Sequence, residues 1–300
     1  MCPMPEGTAE GTVTWRQLLA EDVPRLRAAG HEGADVEARR IVEEASGLEG
    51  AELALGLDEA VTEGRLAHHD DMVSRRVGGE PLQYVLGRWG FRHLDLAVDR
   101  RALIPRPETE QVVEVGLAEL DRMDDGDHEL VVVDLGTGTG AIALSIASER
   151  IRTRVWATDA SDDAIALARA NLAGIGRPAA RVRIVPGSWY DALGDDLRGE
   201  VALVISNPPY VADDAPLPVE VVDWEPHAAL RAGPDGLDDL HRIIDGAADW
   251  LMPGGALVVE IDPGQADAVS ARARAAGLVD VVVVDDLSSR ARAMRARRPA

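Results

Sequence analysis

Leu130-Val131-Val132-Val133-Asp134, followed by Gly136-Thr137-Gly138-Thr139-Gly140, is the stretch that decides the fold. The first five residues read as a buried strand. The glycines let the chain turn tightly and approach a ligand closely, just ahead of a helix N-terminus. Beyond residue 129, strand and helix patterns alternate with little interruption. Strands are expected at 130–135, 154–158, 181–185, 201–206, 255–261 and 279–285, with Ala291 to Arg297 as a final strand. Helices are expected at about 141–150, 161–174, 236–251 and 264–276. This alternation defines an α/β fold, a parallel sheet covered by helices on both faces.

The glycine loop does not by itself identify the ligand. As Gly136-x-Gly138-x-x-Ala141 it matches a dinucleotide-binding fingerprint. Asp159 closes the next strand, about twenty residues on, where an acid suits a ribose diol. NAD and S-adenosylmethionine both carry that ribose. Asp159 also suits a helix N-cap before Asp162 and Asp163.

Ser206-Asn207-Pro208-Pro209-Tyr210 separates the two ligands. It follows the predicted strand Val201–Ile205, at the strand end where open α/β sheets bind ligands. Two prolines stiffen the chain and remove two N–H donors, leaving carbonyls free to accept. Asn207 adds a side-chain acceptor and Tyr210 a flat ring. Two acceptors and an aromatic face complement an NH₂ group on a planar conjugated system. Such a nitrogen is a poor nucleophile, so holding its N–H bonds and aiming it at a sulfonium methyl is catalysis by orientation and electrostatics. This chemistry requires no metal.

Outward from this centre the chain is less explicit. Residues 14 to about 79 carry helical periodicity, with Trp15, Leu18, Leu19, Val23 and Leu26 at three- and four-residue steps. His68 and His69 are adjacent, point to different helix faces, and read as surface histidines rather than a metal pair. From Tyr84 to Val98 the pattern turns β-like around Gly87 and Gly90, predicting a hairpin between two domains. Ile104-Pro105-Arg106-Pro107-Glu108 reads as a stiff loop opening a helix at about Glu108.

Composition narrows the class. All 31 basic residues are Arg, and the net charge is −22. A large nucleic-acid footprint needs a basic surface, so it is disfavoured. Cys2 is the single cysteine, which excludes an intrachain disulfide. The first thirty residues hold Glu6, Glu10, Glu21 and Asp22 without an apolar run, and nothing longer reads as a membrane span. A cytoplasmic location is expected.

With these residues in view, the chain resembles the HemK/PrmC family of release factor glutamine methyltransferases. The resemblance runs from about Gly79 to Glu260. It rests on Gly79–Tyr84, Ile104–Glu110, Asp134–Gly140, Asp159, Trp189, Asn207–Tyr210 and Glu225-Pro226. It implies a seven-stranded, Rossmann-like methyltransferase domain over 106–300, preceded by a helical substrate-recognition domain over 1–82 and a β-hairpin linker over 83–105.

The implied reaction moves a methyl group from S-adenosyl-L-methionine to the side-chain amide nitrogen of the Gly-Gly-Gln glutamine in class 1 peptide release factors. By this analogy Gly136, Thr137, Gly138, Thr139 and Gly140 cradle the cofactor, with Asp159 on its ribose, Trp189 beside its adenine and Asn207 facing its methyl. Asn207 and the Pro208 carbonyl take the glutamine amide, with Pro209 and Tyr210 completing the substrate site. Arg106 and Glu108 line the cofactor entrance, and Glu225 orders the loop after the catalytic strand.

A glutamine methyltransferase for a ribosomal protein differs in partner alone. An adenine N6 methyltransferase fits the same pocket but conflicts with the acidity. An NAD-dependent oxidoreductase leaves Asn207 to Tyr210 unexplained.

Overall fold

Helix α1 (Trp15–Ala28) begins at Thr14, whose hydroxyl accepts the Gln17 N–H while Gln17 reaches back to the Thr14 N–H, a capping box. The computed structural model describes residues 12–286 and 288–300, so Cys2, Glu6 and Glu10 lie outside the described residues. The chain divides into two compact units, one up to Gly87 and one from Arg88 to Ala300.

In the first unit, α1 is followed by α2 (Ala34–Ser46), α3 (Gly50–Gly56), α4 (Glu63–Val77) and α5 (Leu82–Leu86). Their apolar faces meet in a core that includes Trp15, Leu26, Ile41, Val42, Met72 and Val73. The β-like reading of Tyr84-Val85-Leu86 is corrected here: the segment is α5. Pro81 precedes the turn and Gly87, at φ 71°, closes it in the left-handed conformation. Local end signals outweigh the β-propensity of three side chains.

His69 is a second correction. His68 is exposed as expected, but His69 is fully buried. It shares a face of α4 with Met72, Val73 and Arg76. Its Nε2 meets Asp22 Oδ2 at 2.7 Å and its Nδ1 meets Asp70 at 3.2 Å.

The second unit opens with a hairpin, β1 (Arg88–Phe91) and β2 (Leu94–Ala97), followed by helix α6 (Pro107–Met123). Next come β3 (Leu130–Leu135), α7 (Ala141–Glu149), β4 (Thr153–Asp159), α8 (Asp162–Gly174), β5 (Val182–Pro186) and β6 (Val201–Ser206). A short α9 (Val219–Trp224), α10 (Asp238–Trp250), β7 (Leu251–Glu260), α11 (Ala266–Ala275), β8 (Val279–Asp285) and β9 (Ala291–Arg297) complete the unit.

Seven strands form one sheet in the order β5-β4-β3-β6-β7-β9-β8. The first five are parallel, and β9 runs antiparallel to both its neighbours. The α/β class and the seven-stranded, Rossmann-like domain are therefore as expected. β7 starts at Leu251, four residues before the expected strand, and its register against β6 is broken between Val201 and Leu203.

Apolar clusters fill both faces of the sheet. Chain direction places the C-terminal ends of β3, β4, β6 and β7 along one edge, where the strand order reverses around β3. Helix α6 lies close upon β6 because residue 116 is glycine. A Cβ there would come within 2.9 Å of Ile205 Cδ1 and 3.1 Å of Leu203 Cδ2.

The buried histidine generates a pH prediction. Burial pulls the His69 pKa down, but Asp22 and then Asp70 outweigh it, so the folded-state value is raised. The charged pair therefore adds stability that is complete below about pH 6.5 and is lost as pH rises through the raised value. Asp22→Asn should lower unfolding free energy by about 1–3 kcal/mol at acidic pH and flatten this slope. Urea denaturation across the two pH regimes checks it, and equal slopes in both proteins would contradict the pairing.

Candidate active site

The loop between β3 and α7 has Gly136, Gly138 and Gly140 at φ 71°, 56° and 87°. Gly136 is the tightest requirement. A Cβ there would sit 3.1 Å from the Trp189 ring, in a conformation that L side chains rarely adopt. Trp189 itself stands at φ 47°, a strained backbone for a non-glycine residue at a site.

The loop is pinned from beneath. The Thr137 N–H donates to the Thr158 carbonyl at 2.8 Å, and the Gly138 N–H donates to Asp159 Oδ2 at 2.9 Å. Asp134, fully buried, accepts the Thr137 hydroxyl at 2.6 Å and the Ala143 N–H at 3.1 Å. Burial pushes its carboxyl up to about 7, against the pull of those two donors.

Asp159 does not cap α8; Ser161 does, accepting the Ala164 N–H at 3.2 Å. Asp159 instead accepts the Ser161 N–H at 2.9 Å, in addition to the Gly138 N–H. Burial raises its pKa. A carboxylate offers about four lone-pair sites, so acceptor capacity remains for a diol.

A cavity of about 370 Å³ opens above this floor. Among the expected site residues, Gly136, Thr137, Gly138, Thr139, Asp159, Trp189, Asn207 and Pro209 line it. Gly140, Pro208 and Tyr210 do not. Gly140 is the turn into α7, and Pro208 is a buried residue of the segment after β6.

Other wall residues lie outside the expected site, three of them polar side chains on helices. Thr109 is on α6, and Asp239 and Arg242 are on α10. Burial raises the Asp239 pKa, with Arg242 and the Trp189 side chain opposing. In the sequence, Asp239 reads as an ordinary acid in a first helical turn.

The Asn-Pro-Pro-Tyr segment leaves the tip of β6, where the Ser206 hydroxyl donates to the Leu135 carbonyl of β3 at 2.6 Å. Asn207 Nδ2 donates to Thr109 Oγ1 at 3.0 Å. Thr109 donates in turn to Glu260 Oε2 at 2.7 Å, and the Tyr210 hydroxyl donates to Glu260 Oε1 at 3.2 Å. Thr109 and Glu260 are buried, at 3% and 1% exposure. Burial pushes the Tyr210 and Glu260 pKa values up. No described backbone hydrogen bond ends on the Pro208 carbonyl, which stays available as an acceptor.

Arg106 and Glu108 are not part of the cavity wall, contrary to expectation. Arg106 pairs with the buried Glu225, whose second oxygen accepts the Ile104 N–H at 3.3 Å. Glu225 thereby joins the proline-rich loop to its own segment. Glu108 is 4.0 Å from Arg290.

A glycine-floored cavity at the C-terminal edge of a seven-stranded sheet, flanked by an asparagine tip, defines an S-adenosyl-L-methionine-dependent methyltransferase. Residues 117–222 match the methyltransferase small domain and residues 17–87 the PrmC N-terminal domain. The release factor glutamine methyltransferase of Cereibacter sphaeroides is 40% identical over 287 residues, covering 94% of this chain and 98% of that one. The protein of the same name from Deinococcus radiodurans is 39% identical, covering 94% and 98%.

The chain belongs to the release factor glutamine methyltransferase family. Among solved structures, a Pyrococcus furiosus methyltransferase aligns at a TM-score of 0.50 with 16% identity, covering 80% of this chain and all of that one. The hMettl16 catalytic domain, solved with an RNA hairpin, aligns at 0.53 with 16% identity, covering 76% and 82%. These two share the fold. Among the described residues, no helix is long and apolar enough to cross a membrane.

The cavity fits its cofactor chemically. It provides a glycine floor that a Cβ would obstruct, an acid with spare acceptors and an indole ring on the wall. Gly136→Ala should therefore weaken S-adenosyl-L-methionine binding about tenfold, from the left-handed backbone penalty and the displaced indole. Titration calorimetry checks this, and unchanged affinity would mean that the loop does not need a glycine at 136.

Proposed function

We propose that the protein methylates the side-chain amide nitrogen (N5) of the glutamine in the Gly-Gly-Gln motif of class 1 peptide chain release factors. The carrying observation is Asn207: it lines the cofactor cavity on a proline-stiffened tip, with its amide NH₂ already engaged by Thr109. Its Oδ1 is left to accept a substrate N–H. Family membership and the names of the relatives support this substrate class.

The roles follow from chemistry. Gly136 to Gly140 cradle the methionine end of the cofactor, Asp159 takes the ribose hydroxyls, and Trp189 lies by the adenine. When bound, S-adenosyl-L-methionine supplies an electrophilic methyl on a sulfonium. Asn207 Oδ1 and the Pro208 carbonyl hold the two N–H bonds of the glutamine amide, while Tyr210, anchored to Glu260, sets its ring along the amide plane.

Both acceptors draw electron density toward the nitrogen and fix its orientation, so the barrier falls without a strong base. One N–H proton becomes acidic as the C–N bond forms and passes to solvent. Release factors work in the cytoplasm, and the reading places the enzyme there.

Incubation with labelled S-adenosyl-L-methionine and a release factor, then peptide mapping, should find the label on the Gly-Gly-Gln glutamine. Label on a ribosomal protein or on DNA instead would replace the substrate assignment. Asn207→Ala should cut turnover by roughly two to three orders of magnitude, the size of losing an oriented polar group. Calorimetry should show the cofactor still bound. Normal turnover would remove Asn207 from catalysis.

A further inference from the structure

The Asn207 amide is useful to the proposed substrate in one orientation alone. With Oδ1 toward the cavity it accepts an N–H; flipped by half a turn it presents its own NH₂ and repels that N–H. Shape does not distinguish these states, because the amide oxygen and nitrogen are nearly isosteric. A neighbouring hydrogen-bond pattern must decide.

We propose that Thr109 and Glu260 are positioning residues that hold the Asn207 amide with its oxygen toward the cavity. The argument is one of donors and acceptors. In its carboxylate form Glu260 accepts and does not donate. It accepts the Thr109 hydroxyl at 2.7 Å, which commits that hydroxyl's single proton. Thr109 Oγ1 then has lone pairs to offer, so the group it meets at 3.0 Å must be the Asn207 NH₂.

The remaining Glu260 oxygen accepts the Tyr210 hydroxyl at 3.2 Å, so both carboxylate oxygens are engaged as acceptors. The relay is buried at Thr109 and Glu260, where water competes poorly for these bonds. The three anchors come from the start of α6 and the ends of β6 and β7. Gly116, where a Cβ would crowd Leu203 and Ile205, lets α6 lie near enough to join them.

Glu260→Gln distinguishes a relay from a mere spacer. A glutamine side chain of the same shape can donate to Thr109, freeing the hydroxyl proton to meet Asn207 Oδ1 and stabilising the flipped amide. The inference rests on the amide-nitrogen reading above, so Asn207→Ala is run beside it.

Single-turnover kinetics on the full chain with a release factor should show Glu260→Gln and Thr109→Val each lowering the methyl-transfer rate about ten- to a hundredfold. That is the size of one or two misdirected hydrogen bonds. Thr109→Ser, which keeps the hydroxyl, should recover most of the rate. Cofactor affinity should stay within about threefold, because neither substitution removes an acceptor assigned to the cofactor. In an Asn207→Ala background, Thr109→Val should add no further loss, since there is no amide left to orient. A purely structural role would still add its own cost there.

The inference is overturned if Thr109→Val and Glu260→Gln both retain the wild-type rate while Asn207→Ala loses it. It is equally overturned if Thr109→Val lowers the rate as much without Asn207 as with it. If Glu260→Gln does not fold, the Thr109 pair and the double mutant decide alone. If Asn207→Ala itself is fully active, the fault lies in the functional reading, a different result from either of these.

Discussion

An amide nitrogen attacks a methyl group only if its conjugated lone pair is made available, and that requires both of its N–H bonds to be held by acceptors at once. This need constrains the rest of the site. The acceptors must be rigid, must stand beside the methyl donor, and must not carry competing donors. A strand tip followed by two prolines satisfies the first and third conditions together. The second depends on β3 and β6 being neighbours, because β3 delivers the glycine loop and β6 delivers Asn207.

The fold does more than bring two strands together. Helix α6 brings Thr109 against Asn207, and β7 brings Glu260 against Thr109, over sequence separations of 98 and 151 residues. A single glycine at 116 permits the close approach of α6 to β6. The salt bridge of Arg106 to Glu225 ties the loop ahead of α6 to the segment after β6. The Asn207 tip is therefore braced on two sides by residues that are themselves buried or paired.

Much of this was legible in the sequence, and the pattern of what was not is instructive. The strand 130–135 and the strand 201–206 were read to the residue, because buried parallel strands are continuous apolar runs with sharp ends. Asp159 and Asn207 were legible as cavity-lining positions because a strand end marks where open α/β sheets place ligands. Tyr84 to Leu86 looks β-like in isolation, but Gly87 ends it as a helix, a signal stronger than the propensity of three side chains. His69 was misread because burial depends on the partner face, here Asp22 on another helix, which local spacing does not reveal. Thr109 lies in the Ile104–Glu110 run and Glu260 at the end of an expected strand, but neither position marks the role of its side chain. Their meaning arises from a contact between distant elements, and only the folded chain displays it.

The central claim is most directly tested by a crystal structure with S-adenosylhomocysteine and a glutamine-bearing release factor fragment bound together. The account predicts the glutamine NH₂ within about 3 Å of Asn207 Oδ1 and of the Pro208 carbonyl, facing the cofactor sulfur. A glutamine whose carbonyl, rather than its NH₂, meets Asn207, or whose nitrogen lies away from the sulfur, would contradict it.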